Sequence, residues 1–503
     1  MSTSGLPEHK IWIESVEKRL GAIKENPNVY SSIYKVPTKL RQLEEHVYTP
    51  STVSIGPFHH GRSDLHAMEE HKWLYMLSFL QRTPDGIRTL KKCADALQDF
   101  EQVARRYYAE NIGPSYHSRS DLLAMEQKNW RCMLSLLHQA LNPRKNSDEC
   151  AISESKENTG KYYADQHTNC NKEAEASFLE ILLVDGCFIL ELLLRCTDKK
   201  FKDEDDPITS NAWMVPAIRR DLALLENQIP FEVLQKLFDT VRLSCSPTDP
   251  LTSACSCSLP EHAMLFFQPV LNTDRDPSIS KELGQYNRHF LGMLHKFYLP
   301  QNPPIKCSED KKACGFRYCA TELSEAGIKF KNGTQGRLLD ITTSKGVVVI
   351  PPFSIDETLD LLLRNLIAFE QCSFRTTHHI SSYVFLMSGL IKSSNDIKFL
   401  QSKGILTNIL GKAEDASTFF SRMYNGVVLK EFYFTELCEE VNAYTKSWWH
   451  YHRIKALLQF KCRRYLHELI SDYFSNPWRA ASAFAAVVLL VLTVLQTIYT
   501  MRA

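Results

Sequence analysis

Glycine is scarce in this chain, with 19 residues among 503. A phosphate-cradling loop has little material, and neither G-x-x-x-x-G-K-[ST] nor a strand-following G-x-G-x-x-G occurs. The G-x-S-x-G elbow, H-E-x-x-H and the kinase signatures are absent too. An excess of either charge is also lacking: 59 Lys+Arg stand against 58 Asp+Glu, a net charge of +1. That removes an overall electrostatic pull toward nucleic acid. The chain has 15 cysteines but no paired C-x-x-C spacing. Its densest groups are Cys245, Cys255, Cys257 and Cys307, Cys314, Cys319. Neither makes a convincing zinc set. Residues 1–10 are polar and include Glu8, so no secretory signal is expected. No catalytic, cofactor-binding or metal-binding residue is therefore assigned, and an enzyme is not expected.

What is present is an ordinary folded composition, 44% hydrophobic and 23% charged. Length alone allows about two to four domains. Near the end, 22 residues between Arg479 and Arg502 carry no charge: AASAFAAVVLLVLTVLQTIYTM. As a helix they reach about 33 Å, against about 30 Å for a hydrocarbon core. Tyr473, Phe474 and Trp478 sit just before the run and Tyr499 near its end, as interfacial anchors would. Residues 480–501 are therefore expected to form one transmembrane helix that binds membrane lipid. Lys461, Arg463, Arg464 and Arg479 precede it and only Arg502 follows. The positive-inside rule then places the N-terminal part in the cytosol, as in a tail-anchored protein. In that reducing compartment the cysteines stay free, and the sequon at Asn332 stays unmodified. The rival apolar stretch 178–195 carries Glu180, Asp185 and Glu191 and reads as a core helix.

Elsewhere the patterning is mainly helical. Ile13, Val16, Leu20 and Ile23 mark an amphipathic helix over 11–23, stopped by Asn26-Pro27-Asn28. Residues 56–80 recur as 113–137, with 15 of 25 positions identical. Leu65, Met68, Trp73, Met76, Leu77 and Leu80 are matched by Leu122, Met125, Trp130, Met133, Leu134 and Leu137. Ser63 or Asp64 is placed to cap the first copy, and positions 71 and 74 are expected to face outward. Residues 141–177 are polar and read as a disordered connection. In 337–352, two β-prone runs meet at Ser344-Lys345-Gly346, a hairpin signal. Helical patterns return over 356–371, 380–401, 405–413 and 431–470. The expected fold class is mainly α, one large helical domain with a small β element, plus the C-terminal helix.

Three polar features compete for a functional reading. His59-His60 follows Gly56-Pro57 in a turn, and the repeat keeps only the second, as His117. Imidazoles bind metals or shuttle protons, yet turn histidines bonded to backbone or water are the simpler reading. Asp185 lies in the most apolar helix, where a structural partner such as an Arg is expected. Glu226-Asn227-Gln228 sits between apolar runs and reads as a structural joint bonded to backbone. An enzyme with an unfamiliar site would use Asp185, Glu226 or His59/His60 in a cleft. Nucleic-acid binding would fall to the basic-aromatic segment 446–464, KSWWHYHRIKALLQFKCRR. Its nearness to the charge-free run favours the membrane surface instead, so nucleic acid is not the expected partner.

Several longer motifs carry a resemblance. They include Ile33-Tyr34-Lys35-Val36-Pro37, Tyr48-Thr49-Pro50, the run from Val53 to Gly61, and Met68-Glu69-Glu70-His71-Lys72. The segments 183–191, 221–238, 320–331, 338–341, 350–352 and 363–372 add to it, as does Asn476-Pro477-Trp478. In this order they resemble the plant family called domain of unknown function 247, over roughly residues 30–501. The resemblance implies one C-terminal span and no established enzymatic activity. Some members are associated with pollen–stigma self-incompatibility, which implies recognition or signalling through protein partners, with the plasma membrane as the favoured location. One departure is visible: 112–176 intervenes where the family pattern is nearly continuous. The expected organisation is an N-terminal helix and linker (1–30), a cytosolic helical domain (31–473) with an insert (112–176), and the span (480–501).

Overall fold

The computed structural model describes residues 31–110, 178–248, 251–252, 257–271, 288–300, 315–333, 337–373, 376–446 and 477–502. The expected helix over 11–23, the second repeat copy, the polar connection and most of 446–464 lie outside the described residues.

At the centre is α3 (Phe178–Thr197), numbered here after α1 (Ala67–Gln81) and α2 (Gly86–Arg106). Its residues from Phe178 to Leu194 are all buried. A helix apolar all round must be enclosed by others, and α1 and α2 pack on it together with α5 (Phe231–Ser244) and α6 (Leu259–Leu271). The core-helix reading of 178–195 is what the structure shows. By contrast α2 buries one face, through Leu90, Cys93, Leu97, Phe100 and Ala104. Its start is capped by the Asp85 carboxylate, which accepts the Arg88 N–H. The short α4 (Met214–Asp221) lies before α5, and α7 (Phe290–Tyr298) and α8 (Ala320–Glu325) follow α6.

A small sheet follows, in the order β1 (Lys329–Asn332), β3 (Val347–Ile350), β2 (Thr342–Ser344). The expected hairpin is β2–β3, antiparallel with Ser344 opposite Val347. Its two-residue turn takes positive φ at Lys345 (48°) and Gly346 (76°), the conformation that suits strand twist. A second, parallel pair joins β4 (Phe353–Ile355) to β5 (Leu406–Asn408). Between them run α9 (Glu357–Cys372), α10 (His379–Leu390) and α11 (Ser394–Ser402); α12 (Ala413–Tyr424) comes after β5. Buried apolar residues from Ile33 to Val441 form one continuous cluster.

Four local expectations need correction. α1 begins at Ala67 after a 3-10 turn, Ser63–Leu65, with no side-chain cap. Asp64 bonds the Arg62 guanidinium instead, and His71 and Leu74 are half-buried rather than outward. The helical pattern over 380–401 is cut in two at Ser393, whose hydroxyl and Asp396 form a capping box. Residues 405–413 start as a strand, because pairing with β4 buries Leu406 and overrides local helical preference.

The flanks of the expected insert lie side by side. The Tyr108 and Phe178 rings are 5.8 Å apart, and the Arg105 guanidinium covers Phe178 at 4.3 Å. A short linker is enough to join them. Deleting 112–176 and bridging with a few Gly and Ser residues is expected to shift the thermal midpoint by less than about 4 °C, about 1 kcal/mol at most. Failure of the shortened chain to fold would show that the segment belongs to the core.

The last helix, α13 (Pro477–Arg502), has 26 residues and covers the 480–501 segment. Side chains at 477–480, 483, 487, 499 and 501–502 lie outside the described residues. Among the described residues, no helix is long and apolar enough to cross a membrane.

Candidate functional site

The polar residues singled out above converge on one place. There the segment 36–60 is laced onto the turn between α4 and α5. Asp221, at the end of α4, accepts three consecutive N–H groups: Ser51 (3.1 Å), Thr52 (2.6 Å) and Val53 (2.8 Å). Asn227 continues the lacing. Its Oδ1 accepts the Ile55 N–H at 2.7 Å, and its amide donates to the carbonyls of Val53 and Asp221. Gln228 donates to the Leu222 and Leu224 carbonyls, each at 2.7 Å, and so closes the turn itself. Glu226 accepts the Val36 N–H at 2.6 Å and pairs with Arg41 at 2.5 Å. Burial works to raise the Glu226 carboxyl, but the nearby His59 ring, Arg41 and the Val36 N–H hold it below its ordinary value. Burial pushes Asp221 the other way, upward, against the three N–H groups. The reading of 226–228 as a joint bonded to backbone agrees with these contacts.

A second cluster sits against α3. Lys72 of α1 is fully buried. Its ammonium reaches Asp185 Oδ1 at 2.8 Å, Glu69 Oε1 at 2.8 Å and the Ser54 hydroxyl at 3.1 Å. An ammonium has three protons to donate, and three acceptors surround it. Burial alone would lower the Lys72 pKa; Asp185 and Glu69 together hold it above its ordinary value. The other Asp185 oxygen accepts the Gly56 N–H at 2.7 Å. Asp185 thus has a structural cationic partner, a lysine rather than the arginine given as the example. Farther along α3, Glu191 receives Arg82 through two bonds, 2.7 and 2.8 Å, and Arg195 through one of 2.7 Å.

The histidines are less engaged. His59 Nε2 stands 3.3 Å from Glu226 Oε2 without an aligned hydrogen bond, and His60 Nδ1 is buried without one. Among the described residues, no three His, Cys, Asp or Glu side chains converge as a metal set. Of the two cysteine groups, Cys245, Cys257 and Cys319 are described. Cys245 donates to the Arg82 carbonyl at 3.8 Å, and Cys319 caps α8. An open depression of about 490 Å³, lined by Ser421, Arg422, Tyr424, Asn425, Gly426 and Val427, contains none of the joint residues. Glu226 and His59 do come together, then, while Asp185 sits in the neighbouring cluster around Lys72; both carboxylates are buried with both oxygens bonded. Lys72, Arg41 and Asp221 were missed as members of this set.

The family model described as a plant protein of unknown function, DUF247, matches residues 33–115 and 111–492. The chain belongs to this family. Among DUF247-like relatives, it is 25% identical to the UPF0481 protein At3g47200 of Arabidopsis thaliana, over 92% of this chain and 85% of that protein. It is 21% identical to the putative UPF0481 protein At3g02645 of the same plant, over 96% of this chain and 93% of that one. No solved structure matches. The second stretch of the DUF247 match starts beside Gly113, where the second repeat copy begins. The joint, by contrast, is built from the first copy: Gly56, Glu69 and Lys72.

Proposed function

We propose that this DUF247 protein is a membrane-anchored interaction module without a catalytic centre, its helical domain on the cytosolic side. The observation that supports the non-catalytic part is the burial and internal pairing of the joint. Asp185, Glu226 and Lys72 are buried and occupied by one another, by Arg41 and by backbone N–H groups. A general base must come within reach of a substrate, and these carboxylates are buried with each oxygen already engaged by the fold. The anchor rests on the charge-free run 480–501 and its basic flank. It is supported by exposure along α13, where Phe484, Leu489, Leu490, Val491, Leu492 and Leu495 are all more than half exposed. Such a surface calls for an apolar cover, and hydrocarbon suits a helix of about 39 Å. Partner proteins would then be met by the exposed faces of the domain.

Fractionation of plant cells tests the anchor. The full chain is expected to stay in the membrane pellet after carbonate washing, and a chain ending at Phe474 to move into the supernatant. Protease added to intact vesicles should digest the helical domain. A washed-off full chain, or a protected domain, would contradict the reading.

A further inference from the structure

Two sides of α13 differ in kind. Ser482, Ala486, Leu489, Thr493, Gln496 and Thr500 follow one another by steps of four and three, the heptad spacing that keeps side chains on one seam. All but Leu489 are small or polar. The opposite seam has the same spacing and is large and apolar: Phe484, Val488, Val491, Leu495 and Ile498, from 39% to 72% exposed. Hydrocarbon suits that second seam. On the first, the threonines settle their hydroxyl protons within the helix. Thr493 donates to the Leu489 carbonyl at 2.7 Å and Thr500 to the Gln496 carbonyl at 2.9 Å, and beside them Thr497 donates to the Thr493 carbonyl at 2.7 Å. The Gln496 carboxamide is exposed and makes no hydrogen bond among the described residues. In a span over 480–501 it lies about 8 Å past the middle, inside a hydrocarbon half-thickness of about 15 Å. A polar group without a partner at that depth is costly.

We infer that α13 pairs in parallel with α13 of a second copy of this chain, the two Gln496 carboxamides exchanging hydrogen bonds across the seam. The inference rests on the membrane anchor proposed above. Two copies anchored by the same segment enter the bilayer in the same direction, so each residue meets its equivalent at the same depth. A carboxamide both donates and accepts and is therefore its own complement. About a two-fold axis along the membrane normal, each Gln496 gives an N–H to the oxygen of the other. A helix of another sequence would have to carry its own polar group at that depth, whereas a second copy has one by construction. A polar residue at one seam position also fixes the register of the pair. Small residues let helix backbones approach closely in a membrane, and Ser482 and Ala486 supply them along the first half of the seam. The run between Arg479 and Arg502 carries no charge that would hold the copies apart.

Disulfide mapping in membranes tests this. None of the 15 cysteines lies within 480–501, so the unaltered chain gives the background. Leu489→Cys on the polar seam and Leu495→Cys on the apolar one are introduced separately into the full chain. Carbonate-washed plant membranes are then oxidised with copper phenanthroline. The expected product for Leu489→Cys alone has the mass of two chains and links position 489 to position 489. Adding Gln496→Leu should lower its yield about fivefold or more, with the chain still in the washed pellet. Gln496→Asn, which keeps a carboxamide, should retain most of it. Equal yields at 489 and 495, a link from 489 to a different protein alone, or a yield that Gln496→Leu leaves unchanged would overturn the pairing while the anchor stands. Loss of the unaltered chain from the washed pellet would overturn the anchor, and the pairing with it.

Discussion

Lys72→Met is expected to cost about 3–5 kcal/mol of stability, the usual penalty for stranding a buried charge. The reason is local. Lys72 is the cation that faces Asp185, and Asp185 also holds the Gly56 N–H. Methionine fills the space of the lysine stem but leaves Asp185 beside Glu69 with no positive charge between them. The same logic predicts a rescue. Asp185→Asn keeps an oxygen for Gly56 and removes the charge. Alone it deprives Lys72 of one carboxylate and leaves it Glu69. Combined with Lys72→Met it should recover part of the loss, since Asp185 is no longer a stranded charge while Glu69 still lacks its lysine. Chemical denaturation of the four proteins gives the coupling energy directly. A Lys72→Met cost below about 1 kcal/mol would show that the pair is not buried as described.

Gly56→Ala carries the second large effect. Gly56 has φ +73°, a region that side chains avoid, and a Cβ there would stand 2.5 Å from the Gln228 carbonyl oxygen. That oxygen is backbone, held by the Tyr108 hydroxyl at 3.1 Å. It has no easy way to retreat. Left-handed strain costs about 1–3 kcal/mol, and displacement weakens a bond to a charged acceptor worth about 1.5–3 kcal/mol. The expected total is about 3–5 kcal/mol. Gly61→Ala is the control. Its φ is +78°, but nothing lies within 4 Å of the new Cβ, so only the strain of about 1–3 kcal/mol remains. Equal midpoints for the two variants would remove the close approach of 56 and 228 from the account.

Much of this joint was written in the sequence in fragments. Asp185 stands out because its helix is apolar on every side. Glu226-Asn227-Gln228 stands out because apolar runs enclose it. Lys72 was readable by the same rule, and was passed over. It lies four residues from Met68 and four from Met76, inside the stripe those residues define, and a cation there needs an anion. Two opposite charges on two apolar faces are a pair in waiting, but nothing in the sequence says which helices meet. Asp221 was hidden for another reason. Its partners are the backbone of Ser51, Thr52 and Val53, and backbone groups have no sequence signature. The hairpin at 345–346 was legible because its turn is local. The parallel pairings of β1 with β3 and β4 with β5 were not, because they join segments from about 18 to more than 50 residues apart. The repeat was legible as a repeat, and the structure adds what distinguishes the copies. The lysine that meets Asp185 in the first copy is Asn129 in the second. The second copy therefore has no lysine at the aligned position.

The central claim is that these buried polar residues hold the fold and leave recognition to the surface and the anchor. Proximity labelling in plant cells with the Lys72→Met/Asp185→Asn chain, beside the unaltered chain, tests it most directly. Two stable proteins that label the same neighbours are the predicted result. A double variant that folds and stays membrane-bound but loses those neighbours would give the pair a direct functional role and contradict the account.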